Sequence, residues 1–266
     1  MNLPKIMGIL NVTPDSFSDG GEFDSEASAC LQAEAFVASG ADIIDIGGES
    51  TRPFAKPVSE EEELQRVIPA IQAIRKKFSI PISIDTTKAE VARQALAAGA
   101  DIINDISALR KDPAMIELVQ KTDVPVIIMH MKGTPGDMQV KPEYDDVVQE
   151  IYEFFEERLS WLAEKGVDRR RITLDPGIGF GKKLSHNLSI LKHLAIFKKL
   201  DCLLLLGHSR KRFIEDICGL AVGERDLPTA VVSALACQAN VDIIRVHDVA
   251  STRIALQMAT AINGAE

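Results

Sequence analysis

Short apolar runs alternate along nearly the whole chain with longer segments whose apolar residues recur at helical spacing. The runs fall at residues 6–10, 43–46, 82–84, 102–103, 126–129, 172–174, 203–206 and 243–246. They are near-continuously apolar, as parallel strands covered on both faces are. Between them, Leu64, Val67, Ile68, Ile71 and Ile74 form one helical face, and Ser59 with Glu62 ahead of it predicts a capping box. Further on, Val147, Val148, Ile151, Phe154, Phe155, Leu159 and Leu162 repeat the spacing. That spacing assigns both phenylalanines to the core rather than to a ligand-facing patch.

A weak echo supports repetition of one unit. GADIID at 40–45, GADIIN at 99–104 and VDIIR at 241–245 each pass from a helix end into a strand, the expected αβ joint. Eight strands, each followed by a helical segment, predict an α/β fold. Specifically they predict a (β/α)8 TIM barrel, a single domain over residues 1–266, near the roughly 250 residues that such barrels use. An open doubly wound sheet would have fewer strands, and no dinucleotide fingerprint opens the first helix.

In such a barrel the residues at strand carboxyl ends face one mouth: Asn11, Asp85, Asn104, His130, Asp175, Ser209 with Lys211, Arg245 and His247. Arg245 and His247 alternate about Val246, and closure makes Asn11 their neighbour. With Arg52 on the second loop they form a candidate phosphate site. The alternative for Arg245 is a rim salt bridge with Asp248 or Glu49. Asp175 precedes PGIGFGK at 176–182, whose glycines let backbone approach a ligand closely. The stretch matches neither a Walker loop nor a dinucleotide fingerprint. A buried carboxylate there suits a planar heterocycle offering two adjacent N–H donors; the alternative is a helix cap or rim pair. GHSRK at 207–211 fails the hydrolase elbow at Lys211. A helix starting near Ser209 would instead present its hydroxyl and backbone N–H groups to an anion.

Composition narrows the classes. A net charge of −9, from 30 basic and 39 acidic residues, argues against a nucleic-acid footprint. No apolar run approaches the roughly 20 residues of a membrane span. The five histidines lack metal-site spacing, but Asn11 could ligate Mg²⁺ arriving with a diphosphate. Cys30, Cys202, Cys218 and Cys237 form no CxxC pair and read as small buried hydrophobes in a reducing compartment. With no signal peptide ahead of the first strand, a cytoplasmic location is expected.

Taken in order, the motifs carry a family resemblance: GILNVTPDSFSDG at 8–20, DIGGESTRP at 45–53, SIDT at 83–86, IND at 103–105, MHM at 129–131, DPGIGFGK at 175–182, SRK at 209–211 and RVHD at 245–248. The chain resembles the dihydropteroate synthases, folate-pathway enzymes among the pterin-binding (β/α)8 barrels. The resemblance implies condensation of 4-aminobenzoate with 6-hydroxymethyl-7,8-dihydropterin diphosphate, giving 7,8-dihydropteroate and pyrophosphate, with Mg²⁺ as cofactor and a homodimer as assembly. It implies that Asp85, Asn104, Asp175 and Lys211 hold the pterin. Asn11, Arg245 and His247 would hold the diphosphate, Asn11 through Mg²⁺. Thr51, Arg52, Phe180 and Ser209 would frame the aminobenzoate, and Asp85, Lys211, Arg245 and His247 would carry the chemistry, an SN1-like displacement. Phe54 stands where the family usually has Gly, which changes the second loop. Many relatives have a hairpin ahead of the first strand covering the barrel floor; residues 1–5 take that place here, so another element covers the floor or it is more exposed. A corrinoid-directed methyltransferase of the same barrel family shares the pterin residues but needs no diphosphate site. A silent pterin-binding paralogue is the remaining rival.

Overall fold

The computed structural model describes residues 3–13, 22–50, 57–134, 136, 138 and 140–265, with side chains from residue 26 onward in the first helix. Eight parallel strands close in sequence order: β1 (Lys5–Asn11), β2 (Ile43–Gly47), β3 (Ile82–Asp85), β4 (Ile102–Asp105), β5 (Val126–Met129), β6 (Ile172–Asp175), β7 (Leu203–Leu206) and β8 (Ile243–Val246), with β8 pairing back onto β1. Outside them lie α1 (Glu22–Ala38), α2 (Glu60–Lys77), α3 (Ala89–Ala98), α4 (Pro113–Lys121), α5 (Val147–Glu164), α6 (Leu184–Lys192), α7 (Arg212–Cys218), α8 (Asp226–Ala236) and α9 (Val249–Asn263). The expected (β/α)8 barrel is therefore formed, with α7 as an additional short helix between β7 and α8.

The apolar runs are continuous because each strand is covered twice. One face meets the helices; inside, Met7, Ile43, Ile127, Leu205 and Ile243 plug the lumen, a filled interior below the mouth. Phe155 is fully buried and Phe154 half-buried against the same core. Ser59 caps α2, accepting from the Glu62 amide at 3.1 Å. The Glu62 carboxylate pairs instead with Arg66 one turn on, so only half of the expected capping box forms.

The sequence echo marks a repeated clamp at the barrel floor. Asp42 Oδ2 accepts from the Ile6 amide at 2.8 Å, Asp101 Oδ2 from Ile82 at 2.9 Å, and Asp242 Oδ2 from Leu204 at 2.7 Å. Each aspartate at the entrance of one strand thus satisfies an amide near the start of the strand before it. The floor keeps a cavity of about 480 Å³ bounded by Leu3, Pro4, Ile43, Ile102, Ile127 and Leu203 among others. Cys30, Cys202 and Cys237 are buried as expected, whereas Cys218, at the end of α7, is exposed. No helix among the described residues is long and apolar enough to cross a membrane.

Candidate active site at the carboxyl mouth

Strand register lays Asn11, Gly47, Asp85 and Asn104 side by side as successive partners across β1 to β4. Arg245 reaches into this row from β8. Its Nε donates to Asp45 Oδ2 at 2.5 Å and its Nη2 to Asp85 Oδ2 at 2.6 Å. Asn104 Nδ2 approaches the same Asp45 carboxylate at 3.3 and 3.4 Å. Arg245 therefore stands inside the mouth and makes neither anticipated rim bridge: Asp248 caps α9 and Glu49 pairs with Lys88. Burial pushes the Asp85 carboxyl well above the usual range; Arg245 pulls it back, while Asp45, Glu63 and Asp105 push it further. Burial opposes the Arg245 charge, but Asp45 and Asp85 outweigh it and fix the guanidinium as a cation.

Asp175 forms the opposite wall. Its Oδ1 accepts from the Gly177 amide at 2.8 Å, and burial lifts the carboxyl to about 6 against the pull of that bond, Lys211 and Arg245. The helix-cap alternative fails, because α6 starts at Leu184, well beyond this turn. The Lys211 ammonium lies 4.0 Å from the centre of the Phe180 ring, a cation–π contact that joins two residues expected on different substrates. Gly177 and Gly181 have φ of +68° and +63°, and a Cβ on them would sit 2.1 Å from the His130 carbonyl oxygen and 2.3 Å from that of Lys132. Only glycine lets the loops after β5 and β6 meet backbone to backbone here. Lys182 braces the joint from within, Nζ donating to His130 Nδ1 at 3.1 Å and to the carbonyls of His130 and Phe180 at 3.2 and 2.9 Å. Burial draws Lys182 down to about 7 and, with the Lys182 charge, His130 to about 2. His130, grouped with the mouth on sequence grounds, serves this brace as a neutral acceptor.

At the third wall, Ser209 Oγ lies 2.8 Å from His247 Nδ1 and accepts from the His247 amide at 3.1 Å. This corrects the helix-start reading: α7 begins at Arg212, and Ser209 instead ties the end of β7 to the end of β8. His208 is buried against the Thr229 carbonyl at 2.9 Å and Ser233 Oγ at 3.1 Å, and burial holds it near 4. It does not activate Ser209.

A family model described as "Pterin binding enzyme" matches residues 7–247. The dihydropteroate synthase of Escherichia coli K12 is 46% identical over 258 residues, covering 97% of this chain and 91% of the relative. The chain belongs to the dihydropteroate synthase family. It is thereby an enzyme of the transferase class. The Yersinia pestis dihydropteroate synthase, solved in a sulfonamide drug complex, superposes with a TM-score of 0.94 at 41% identity, covering 100% of this chain and 97% of that one. The Xanthomonas albilineans dihydropteroate synthase with 4-aminobenzoic acid gives 0.93 at 44% identity, covering 99% and 94%.

Of the residues expected to serve a dihydropteroate synthase, Thr51 and Arg52, like Phe54, lie outside the described residues. Asn11 is half-buried at the end of β1. Among the described residues no cluster of three or more His, Cys, Asp or Glu could hold a metal, and Asp45 and Asp85 are engaged by Arg245. This donor set fits a Mg²⁺ ion that takes one carboxamide oxygen from Asn11 and the rest from its ligand and water. Sequence reasoning missed Asp45, Lys182 and Asn187, whose Oδ1 accepts from the Gly179 amide at 2.8 Å. For Asp45 the signal was a carboxylate inside an apolar strand, which needs a buried partner.

Proposed function

We propose that the chain condenses 6-hydroxymethyl-7,8-dihydropterin diphosphate with 4-aminobenzoate, releasing 7,8-dihydropteroate and pyrophosphate. The observation that carries this is the convergence of Asp175, Asn104 and the Asp85–Arg245 pair around one mouth, with Lys211 stacked on Phe180 beside them. Asp175, ionised at neutral pH, reads the amino-pyrimidine edge through two N–H donors, and Asn104 supports it. Lys211 and Phe180 bound the ring and the aminobenzoate side. Arg245 uses Nε and Nη2 on its carboxylates, which leaves Nη1 as the donor for the diphosphate.

The chemistry read here is an SN1-like displacement. The pterin ring delocalises the methylene cation as diphosphate departs, and the carboxylates of Asp85 and Asp175 stabilise that positive charge. His247, fixed by Ser209, faces the departing anion beside Arg245. Mg²⁺, held by Asn11, would supply charge neutralisation of the diphosphate. The weakly nucleophilic amine needs positioning rather than a strong base.

The dihydropteroate synthase reading predicts pyrophosphate release that requires 4-aminobenzoate and matches dihydropteroate formed mole for mole. Bound pterin without dihydropteroate would reject the reading in favour of a silent pterin-binding protein. We also propose a homodimer in the cytoplasm: Leu227, Val231 and Leu235 of α8 and Ile254, Met258 and Ile262 of α9 are exposed apolar side chains, more than a solvated face usually carries. Sedimentation at micromolar concentration should give twice the chain mass, and Leu235→Lys should shift it to the monomer.

A further inference from the structure

Residues 207–211 carry the chain from the end of β7 at Leu206 to the start of α7 at Arg212, and they bring two side chains to the mouth. Ser209 Oγ lies 2.8 Å from His247 Nδ1, and the Lys211 ammonium covers the Phe180 ring. Arg210, between them, has a φ of +56°, the left-handed region that is costly for a residue with a Cβ. Its amide, carbonyl and guanidinium all run to the start of α8. The amide donates to Thr229 Oγ1 at 3.2 Å, and the carbonyl accepts from Arg225 Nη1 at 3.1 Å. Nε and Nη2 donate to the two oxygens of Asp226, each at 2.7 Å. The anchor is braced in turn. Thr229 Oγ1 donates to the Arg225 carbonyl at 2.7 Å, and buried Arg225 donates to the Leu220 carbonyl at 2.9 Å and to Glu215 Oε2 at 2.5 Å. On the other side of Ser209, His208 rests against the Thr229 carbonyl, so both neighbours of Ser209 are tied to the same helix.

A left-handed residue other than glycine persists only where its surroundings over-determine it. The Arg210–Asp226 pair is suited to that task. It is bidentate, and the two side chains are only 33% and 27% exposed, which sets it apart from the single-contact surface pairs that contribute little. The guanidinium is directed to α8, while the side chains before and after it serve the mouth. We infer that Arg210 is a positioning residue of the reaction: its ion pair with Asp226 holds the left-handed turn that sets Ser209 and Lys211 in their places. Without the pair the turn relaxes toward ordinary backbone, the competent arrangement becomes a minor state, and apparent affinity falls by its fraction. This rests on the reading that Lys211 holds the pterin and Ser209 borders the aminobenzoate.

Two substitutions of one residue separate this role from a merely structural one. Arg210→Ala and Arg210→Gly both remove the ion pair, but only the glycine substitution also removes the penalty of the left-handed backbone. In calorimetry with 6-hydroxymethyl-7,8-dihydropterin, folded Arg210→Ala should bind about tenfold more weakly than wild type, and Arg210→Gly should recover to within about threefold. The KM for 4-aminobenzoate should rise in the same order. Wild-type pterin affinity in folded Arg210→Ala overturns the proposal. Equal losses in the two variants overturn it as well, because the backbone conformation would then not be what the pair controls. If Arg210→Ala does not fold, Asp226→Asn carries the test: binding should weaken about threefold, and adding Arg210→Gly should restore it. Failure of either expectation overturns the proposal. Hydrogen exchange of the ligand-free protein needs no substrate. In Arg210→Ala, or in Asp226→Asn to a smaller extent, the amides of residues 210 and 211 should exchange faster, about tenfold for the former, with peptides covering β4 and β6 at wild-type rates. Wild-type exchange at those two amides overturns the proposal. A wild-type protein that binds no pterin would reject the functional reading, while the exchange arm still decides whether the pair holds the turn.

Discussion

At the floor of the barrel, Asp42, Asp101 and Asp242 each give an oxygen to an amide near the start of the preceding strand, and Asp101 and Asp242 also meet Arg75 and Lys198 at 2.5 Å. Their surroundings stay wet: the Asp101 side chain is 51% exposed and that of Asp242 30%. At the mouth, Asp45, Asp85 and Asp175 are enclosed, and they face side chains from distant strands, above all Arg245. Burial lifts Asp85 and Asp175 out of the normal carboxylate range. The same residue type thus does two jobs. A floor aspartate finds its donor on the neighbouring strand, in a backbone amide that every strand offers, and its loss costs stability. A mouth aspartate depends on barrel closure to bring its partner, and it holds charge where a substrate can use it.

The largest test of this contrast is Arg245→Ala. It leaves Asp45 and Asp85 facing each other without their cation, and breaking a buried pair in this way costs about 3–5 kcal/mol. Denaturant unfolding should report that loss. Calorimetry on the surviving protein should show the pterin diphosphate losing more affinity than the free pterin. Equal losses for the two ligands would remove Arg245 from the anion site, and unchanged stability would show the mouth to be no more interdependent than the floor.

How much of this was legible in the chain follows the same division. The strands were readable because double coverage makes them apolar, but several expected runs stopped one residue or more short of the observed strands. Asp85, Asp175 and the pair Asn104-Asp105 belong to β3, β6 and β4; a polarity pattern ends where the side chain turns polar, whereas the hydrogen-bond ladder runs on. Those same end positions made the mouth readable, since barrel geometry alone sends them to one face. Asp45 was hidden inside its strand. The brace of Lys182 and His130, 52 residues apart, and the Ser209–His247 contact, 38 apart, arise from loop packing that no local pattern encodes. The clamp aspartates were seen as an echo without a role, because the amide each one satisfies lies on the strand before it.

Asp175→Asn should weaken pterin binding by about 1.5–3 kcal/mol, the worth of a hydrogen bond to a charged group, or on the order of 10- to 100-fold in Kd. Unchanged affinity by calorimetry would show that Asp175 does not read the pterin. Its counterpart at the floor, Asp242→Ala, removes the acceptor of the Leu204 amide and the partner of Lys198. Because that site is partly solvated, the expected cost is about 1–2 kcal/mol of stability, with kcat/KM of the folded enzyme unchanged. A fall in kcat/KM without loss of stability would erase the distinction between the two ends.

The finest test uses protons instead of mutations. Asp175 has its carboxyl raised from 3.8 to about 6, burial being the main cause. A carboxyl whose folded-state pKa is raised favours the folded, ligand-free protein below 3.8, and that contribution is lost as pH climbs through about 6. Ligand binding runs the other way, because the N–H donors of a pterin need the carboxylate. Affinity should therefore rise with pH through about 6 and level off above it, falling about tenfold by pH 5, where roughly a tenth of the group is ionised. Asp175→Asn should flatten this step, while Asp242→Asn at the floor should leave it in place. The Lys182 charge pulls the Asp175 carboxyl down, so Lys182→Met should move the Asp175 step to higher pH. A wild-type profile flat from pH 5 to 8 would mean that ligand binding does not depend on the charge of Asp175, and the mouth would then select its ligand by shape.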